Sequence, residues 1–256
     1  MLDASLIKRK CCTAARILRD RGAIGFFWAV REWAAVRAKY VKFDGCTFTL
    51  NVSDQDVKLR LASKQYEGFE RRAVQQHIRP EFPVVELGGC IGVVACVTNS
   101  VLQKGSLHVV VEANPWAIPV LEVNRALNHC DFEIVNAAIA YDRPSVTFCP
   151  SLSLDSNSLR NNRGADPVTV NAISLQDIVD KKQIGSFMLI CDIEGHEYDL
   201  VQHEADVLRR AVVIILETHA RIIGEAKNAE LLGKLKEIGF KKIDEQGTVL
   251  VLKRSA

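Results

Sequence analysis

The chain has 256 residues, with Lys+Arg 33 against Asp+Glu 31, a formal charge of +2 and 48% apolar residues. This composition excludes a disordered tail protein, a collagen-like chain and a disulfide mini-scaffold, and the length is enough to bury one large core. The near-neutral mean hides an uneven split: residues 1–42 hold ten bases and three acids, or +7, and residues 43–256 hold 23 bases and 28 acids, or −5.

The arm, residues 1–42, reads as two short helices broken around Gly22 and Gly25. Phe26, Phe27, Val30, Trp33 and Ala34 share one face of the second. Two readings fit: a surface helix that touches an anionic membrane or an amphiphilic acceptor, or a packing helix that covers one edge of the main unit. Arg31 and Glu32 interrupt the only candidate signal-peptide core, and no apolar run approaches the ~18 residues of a membrane span. The eight cysteines form no C-x-x-C pair and several lie in apolar runs, a pattern expected of reduced thiols in a cytoplasm.

Beyond the arm, residues 43–256 are expected to form one α/β unit. Phe43 to Val52 alternates around Asp44-Gly45, which predicts a hairpin, and 69–79 predicts a helix ending at Pro80. Val84–Leu87 is an apolar strand that enters a Gly-rich turn, followed by a helix over Val93–Leu102. A strand at Leu107–Val111, a helix from Pro115 to Leu127, and strands at Phe132–Ala138 and Ser145–Phe148 come next. Residues 151–166 are polar, and Leu175–Lys181 predicts a helix. Phe187–Cys191 and Val212–Leu216 are continuous apolar strands flanking a helix over 197–209. The end reads helix (Ala229–Ile238), strand (Phe240–Asp244), Gly turn and strand (Thr248–Lys253). Near-continuously apolar strands alternating with helices predict a Rossmann-like, doubly wound, mostly parallel sheet, closed by an antiparallel C-terminal hairpin.

Glu86-Leu87-Gly88-Gly89-Cys90-Ile91-Gly92 stands between the first such strand and its helix, where a doubly wound sheet binds ligands. A pyrophosphate fingerprint needs glycines at 88, 90 and 93, and Cys90 and Val93 break it. Glu86 at the strand tip would repel a pyrophosphate but suits a ligand with an ammonium or sulfonium. Glu112 ends the second strand, 24 residues after Gly88, where an acid accepts hydrogen bonds from ribose hydroxyls. Together these predict S-adenosylmethionine, held by Glu86, Gly88, Gly89, Gly92 and Glu112. Asn136, at the third strand end, is positioned to frame the adenine, although a strand-end turn explains it equally well.

Asp192-Ile193-Glu194-Gly195-His196-Glu197 follows the fourth strand, and Glu217-Thr218-His219 ends the next. Neighbouring parallel strands bring the two clusters together at ~5 Å spacing. A hydroxyl acceptor needs a base as its proton leaves, and the position lacks the Asn/Asp-Pro-Pro-aromatic loop of many nitrogen methyltransferases. Asp192 is expected to orient the reacting groups beside the cofactor, His196 or His219 to act as base, and Glu194 and Glu217 to orient a histidine or the acceptor. Asp192, Glu194, Glu217 and His219 could together hold a divalent ion, but their spacing is not that of a fixed ligand set and no metal is assigned.

From about residue 66 to 219 the chain resembles the FkbM family of S-adenosylmethionine-dependent methyltransferases. The resemblance lies in Tyr66-Glu67, the 86–92 turn, Glu112-Ala113-Asn114-Pro115, Asn124 with Asn128, Ile173 to Asp177, Asp192 to Glu197 and Leu216 to His219. It implies O-methylation of a hydroxyl on a secondary metabolite or on a sugar of a bacterial glycan, such as a deoxyhexose on a lipid-bearing oligosaccharide. The family's Asp and Val-Gly-Ala-Asn are here Glu86 and Leu87-Gly88-Gly89-Cys90, and its small residue is here His196. The competing expectations are a membrane-associated binding module that keeps the fold without the chemistry, and an RNA methyltransferase with the arm on phosphates. The acidic body weighs against nucleic acid.

Overall fold

A computed structural model describes residues 38–149 and 166–255. The arm and the polar 151–166 stretch, apart from their last residues, lie outside the described residues, and with them the two helices expected in the arm.

The described chain opens with a hairpin, β1 (Tyr40–Phe43) and β2 (Cys46–Thr49), turning at Asp44 and Gly45 with φ of 49° and 77°. Two consecutive positive φ angles match the right-handed twist of the paired strands, which is why Asp-Gly stands there. Strand β1 starts at Tyr40, so a unit boundary drawn between 42 and 43 cuts through it. Helices α1 (Gln55–Ala62) and α2 (Gly68–His77) follow, then β3 (Val84–Leu87), α3 (Val93–Val101), β4 (His108–Glu112), α4 (Ile118–Leu127) and β5 (Glu133–Ile139). An edge pair, β6 (Ser145–Phe148) and β7 (Val168–Ile173), precedes α5 (Leu175–Lys181), β8 (Phe187–Cys191), α6 (Glu197–His203) and α7 (Ala205–Leu208). The chain ends with β9 (Ala211–Glu217), α8 (Ala220–Ile223), α9 (Glu225–Glu237), β10 (Phe240–Gln246) and β11 (Val249–Arg254).

Nine strands form one sheet in the order β10-β11-β9-β8-β3-β4-β5-β7-β6. The pairs among β9, β8, β3, β4, β5 and β7 are parallel, whereas β11 runs antiparallel to both β9 and β10, as the Gly-turn hairpin requires. The chain builds outward from β3 through β4 to β5, then returns to place β8 on the other side of β3. That reversal opens a crevice at the carboxyl ends of β3 and β8.

Helices cover both faces, which explains the unbroken apolar strands. On one side Val84, Met188, Ile190, Val213 and Ile215 pack with α1, α2, α3, α4 and the β1–β2 hairpin. On the other, Val85, Leu87, Leu189, Cys191, Ile214 and Leu216 pack with α5, α6, α7 and α9. Asn124 and Asn128 brace the first layer. Asn124, wholly buried, accepts from Thr49 N (2.9 Å) and donates to Ile91 O (2.8 Å), tying the hairpin to the glycine turn; Asn128 accepts from Thr47 N and donates to Thr47 O. Among the described residues all six cysteines are free thiols, and no helix is long and apolar enough to cross a membrane.

Candidate active site

The strand β3 tip runs into a turn whose backbone only glycine tolerates at its tightest point. Gly88 has φ 91°, and a Cβ there would lie 1.7 Å from the Asp192 carbonyl oxygen. The loss of a side chain lets the turn lie directly against the end of β8, where Asp192 N donates to Leu87 O at 2.9 Å. A Cβ on Gly89 would lie 2.3 Å from Val110 Cγ1, so the turn is equally close to β4. Gly92, with φ 79°, starts α3 without a side-chain cap, which leaves helix N–H groups to a ligand.

Glu112 ends β4, nearly buried, and its carboxylate grips the turn: one oxygen accepts from Cys90 N and the other from Asn114 N, both at 2.6 Å. Burial raises its pKa and these two amides pull it down. An ionised carboxylate offers about four acceptor sites, so two remain for ribose hydroxyls. Asn136 sits opposite Glu112 across β4–β5 and donates from Nδ2 to Glu112 O (2.7 Å) and Ala113 O (3.3 Å). In this structure it braces the β4 turn.

At the other side of β3, the β8–α6 loop and the end of β9 converge as the sheet order predicts. His219 is the meeting point: Nδ1 lies 3.0 Å from Glu197 Oε1, and Nε2 lies 3.2 Å from Glu194 Oε2 and 3.6 Å from Asp192 Oδ1. Burial works against a charge on this ring, but the contacts with Glu194 and Glu197 and the charge of Asp192 outweigh it and push the imidazole up to about 11. The surrounding carboxylates thus favour the imidazolium form of His219. Asp192 moves the same way: burial, then the charges of Glu217 and Glu194, hold its carboxyl well above the usual range, with His219 opposing. Its Oδ1 is buried without a hydrogen-bond partner.

His196 does not join this cluster. It caps α6, is exposed, and its Nδ1 lies 3.3 Å from Ile193 O of its own loop. Glu217 accepts from Thr248 Oγ1 at 2.8 Å and faces the cleft rather than His219. The third carboxylate at His219, beside Asp192 and Glu194, is instead Glu197, to which the sequence assigned no role. It is wholly buried and accepts from Ile193 N and Gly195 N as well as from the ring. Asp192, Glu197 and His219 bring ligand-type atoms within 4.8 Å of one another, a different group from the four considered from sequence.

Beneath the glycine turn lies a cleft lined by Glu67, Glu70, Glu86, Asp192 and Glu217, with Val94, Ile190, Ile215 and Val249 as its apolar walls. Glu67 and Glu70 were also without an assigned role; the signal available for Glu67 was its place beside Tyr66 in the family resemblance. Glu86 is wholly buried, with Oε2 3.4 Å from His108 Nε2. Burial pushes Glu86 up to about 8 and His108 down to about 3, so this pair is neutral at pH 7. The cleft has five carboxyls and no basic lining residue, so it offers acceptor oxygens and no positive charge to repel a cation. With the side-chain-free turn against β8 and the orphaned Asp192 and Glu86 oxygens, the site fits a sulfonium cofactor.

A glycine turn, a strand-tip acid and this strand order define a Rossmann-like methyltransferase fold. The methyltransferase FkbM domain matches residues 86–242. The chain belongs to that family, and its cofactor is S-adenosylmethionine. No curated protein matches it in sequence. Among solved structures, a candidate SAM-dependent methyltransferase from Streptococcus mutans superposes with a TM-score of 0.50 at 10% identity, over 84% of this chain and 55% of that one. The ribosomal protein L11 methylase of Lactobacillus delbrueckii subsp. bulgaricus gives 0.44 at 12% identity, over 75% and 79%. A candidate O-methyltransferase from Klebsiella pneumoniae gives 0.44 at 12%, over 76% and 80%.

Proposed function

We propose that this methyltransferase transfers the methyl group to oxygen, on a hydroxyl of a sugar, such as a deoxyhexose of a bacterial lipo-oligosaccharide or another glycan, or of a secondary metabolite. The observation that carries this reading is the unpartnered, buried Asp192 Oδ1 at the end of β8, beside the glycine turn and next to a fixed imidazolium. A hydroxyl loses its proton during transfer, whereas a tertiary or aromatic nitrogen needs no such acceptor; a carboxylate with a raised pKa is suited to take it. S-adenosylmethionine supplies an electrophilic methyl on a sulfonium. Gly88, Gly89, Gly92 and Glu112 would hold its nucleoside end, with Asn136 bracing Glu112's strand, and Glu86 and Asp192 would face its charged end.

In this reading Asp192 receives the acceptor proton, and His219 and Glu194 set the charge around it. Glu217, across the cleft, orients the acceptor. The basic arm, residues 1–42, would meet an amphiphilic acceptor or an anionic membrane surface from the cytoplasmic side. The test is methyl transfer from labelled cofactor to a panel of glycans and metabolites, together with mass spectrometry of cell glycans with and without the gene. Loss of one O-methyl group in the deletion is the expected result; transfer to nitrogen or to RNA would overturn the oxygen assignment. Liposome binding that needs residues 1–42 with no transfer to any acceptor would favour a binding module.

A further inference from the structure

Glu197 is the carboxylate least accessible to solvent at the chemical end, at 0% exposure. Burying a carboxylate costs several kcal/mol unless its oxygens are satisfied. Here Oε1 accepts from Ile193 N at 3.1 Å and meets His219 Nδ1 at 3.0 Å, while Gly195 N reaches both oxygens at 3.2 and 3.1 Å. Glu197 stands on the first turn of α6, the two amides belong to the β8–α6 loop, and His219 follows β9. One side chain thus ties the start of α6, the loop before it and the residue that follows β9 to one another. Gly195 completes the fit: with φ 98° it presents its N–H to Glu197, and a Cβ there would lie 2.8 Å from Ile222 Cγ2 of α8.

We infer that Glu197 is a positioning residue that clasps His219 through Nδ1, so that the ring presents Nε2 to Asp192 and Glu194. The clasp has two consequences. It selects which ring nitrogen faces the cleft, as carboxylate partners of histidines do. It also adds a third and closest carboxylate to the ring, beside Glu194 and Asp192 from the loop; among the described residues no Lys or Arg is in ion-pair contact with Glu197. His219 then works as a fixed positive charge that faces both Asp192 and Glu194 through Nε2. The inference deepens the proposed chemistry at the same site. Its readout needs no acceptor, so it can fail while the oxygen assignment stands, and the reverse.

The experiment is a pH titration of the full chain labelled with 15N-histidine, following the His219 ring nitrogens by NMR, with His219→Gln to assign them. In the wild type both ring nitrogens should remain protonated through about pH 9. Glu197→Gln should lower the ring's midpoint by roughly one to two units and loosen the tautomer preference once the ring is neutral. Glu197→Asp, which keeps the charge at a longer reach, should lower it less than Glu197→Gln. Glu194→Gln, at a partly exposed position (31%), should shift the midpoint less than Glu197→Gln if that variant folds. If it does not fold, Glu194→Gln should still leave Nδ1 as the protonated nitrogen of the neutral ring. A neutral wild-type ring at pH 7, a midpoint unmoved in Glu197→Gln, or Nε2 as the protonated nitrogen in Glu194→Gln would each overturn the clasp.

Discussion

Two carboxylates end parallel strands on either side of β3, and they are treated in opposite ways. Glu112, on β4, has each oxygen in a short bond to a backbone amide, one in the glycine turn it faces and one in the segment that follows its own strand. Asp192, beyond β8, keeps a buried oxygen without a partner and is crowded by Glu194, Glu217 and His219. The first arrangement fixes position: its partners are neutral, rigid and local. The second stores charge, and its state depends on where protons lie. On the function proposed above, the β3–β4–β5 half of the site would hold the ligand in place, and the β8–β9 half would handle the proton.

The two halves share one seam, at Gly88, and the largest effect should come from breaking it. Gly88→Ala places a methyl group 1.7 Å from the Asp192 carbonyl at a positive φ, so either the turn or the tip of β8 must move. A loss of at least about 3 kcal/mol in stability is expected, together with loss of S-adenosylhomocysteine binding, read by thermal denaturation and calorimetry. A variant that still binds with native affinity would mean that the turn is not part of the cofactor site.

The halves should then separate under the next two substitutions. Asp192→Asn keeps shape and removes the proton acceptor, so turnover should fall by about 10²–10⁴ with S-adenosylhomocysteine affinity changed only a few-fold. Glu112→Ala should do the reverse. Hydrogen bonds to a charged group are worth roughly 1.5–3 kcal/mol, so affinity should weaken by about 10–100-fold, and turnover at saturating cofactor should fall far less. If Asp192→Asn weakened cofactor binding as much as Glu112→Ala does, the division of labour would be wrong.

How far the sequence foretold this site follows the same division. Everything that depends on backbone order was legible: the glycine turn, the strand-tip acids, the convergence of the 192–197 and 217–219 clusters and the antiparallel end. Strand periodicity and Gly placement are local signals. Strand β7 and helix α1 were not foreseen, because Val168–Ile173 is a half-exposed strand that buries only Val170 fully and Gln55–Ala62 buries only Val57 and Leu61. Side-chain partnering was the least legible. Glu197 and His196 are neighbours in one motif, yet one is wholly buried on His219 and the other points to solvent. Which side of the α6 turn faces the sheet decides that, and spacing alone does not report it. Cys90, a departure from the family pattern, lies with its Sγ 3.3 Å from the Tyr66 hydroxyl, so it packs at the turn without costing the amide that Glu112 holds.

The cleft between the halves supplies a smaller, pH-dependent effect. Glu86 has a folded pKa of about 8, so from about pH 4.5 upward the folded state keeps a proton that the unfolded chain has lost, and stability falls as pH rises. His108, at about 3, works in the opposite sense: between about pH 3 and 6.5 the unfolded chain binds the extra proton, and stability rises with pH. The two cancel between about 4.5 and 6.5, leaving a net loss between about 6.5 and 8. Glu86→Gln, which cannot ionise, should remove that decline and raise the melting temperature at pH 8 more than at pH 6.5, as measured by calorimetric scans across the range. An unchanged slope would place the decline in the His219 cluster, whose raised folded pKa also sheds stability as pH rises.

His196→Ala should have the smallest effect of all, although His196 lies in a run with four ionisable residues in six, Asp192 to Glu197. Its ring is exposed and bonds only to the Ile193 carbonyl of its own loop. The groups that hold that loop, the Glu197 carboxylate and the φ 98° glycine, stay in place without it. Turnover and cofactor affinity should both stay within about three-fold of wild type: His196 stands at the N-cap of α6 but its side chain makes no cap hydrogen bond, and surface substitutions that break no such feature move stability by only about 0.5 kcal/mol. A loss confined to KM for one acceptor would assign His196 to acceptor recognition at the mouth of the site. A loss in kcat approaching that of Asp192→Asn would mean that the loop reorganises when the acceptor binds, and that the proton-handling half reaches one residue further than its resting geometry indicates.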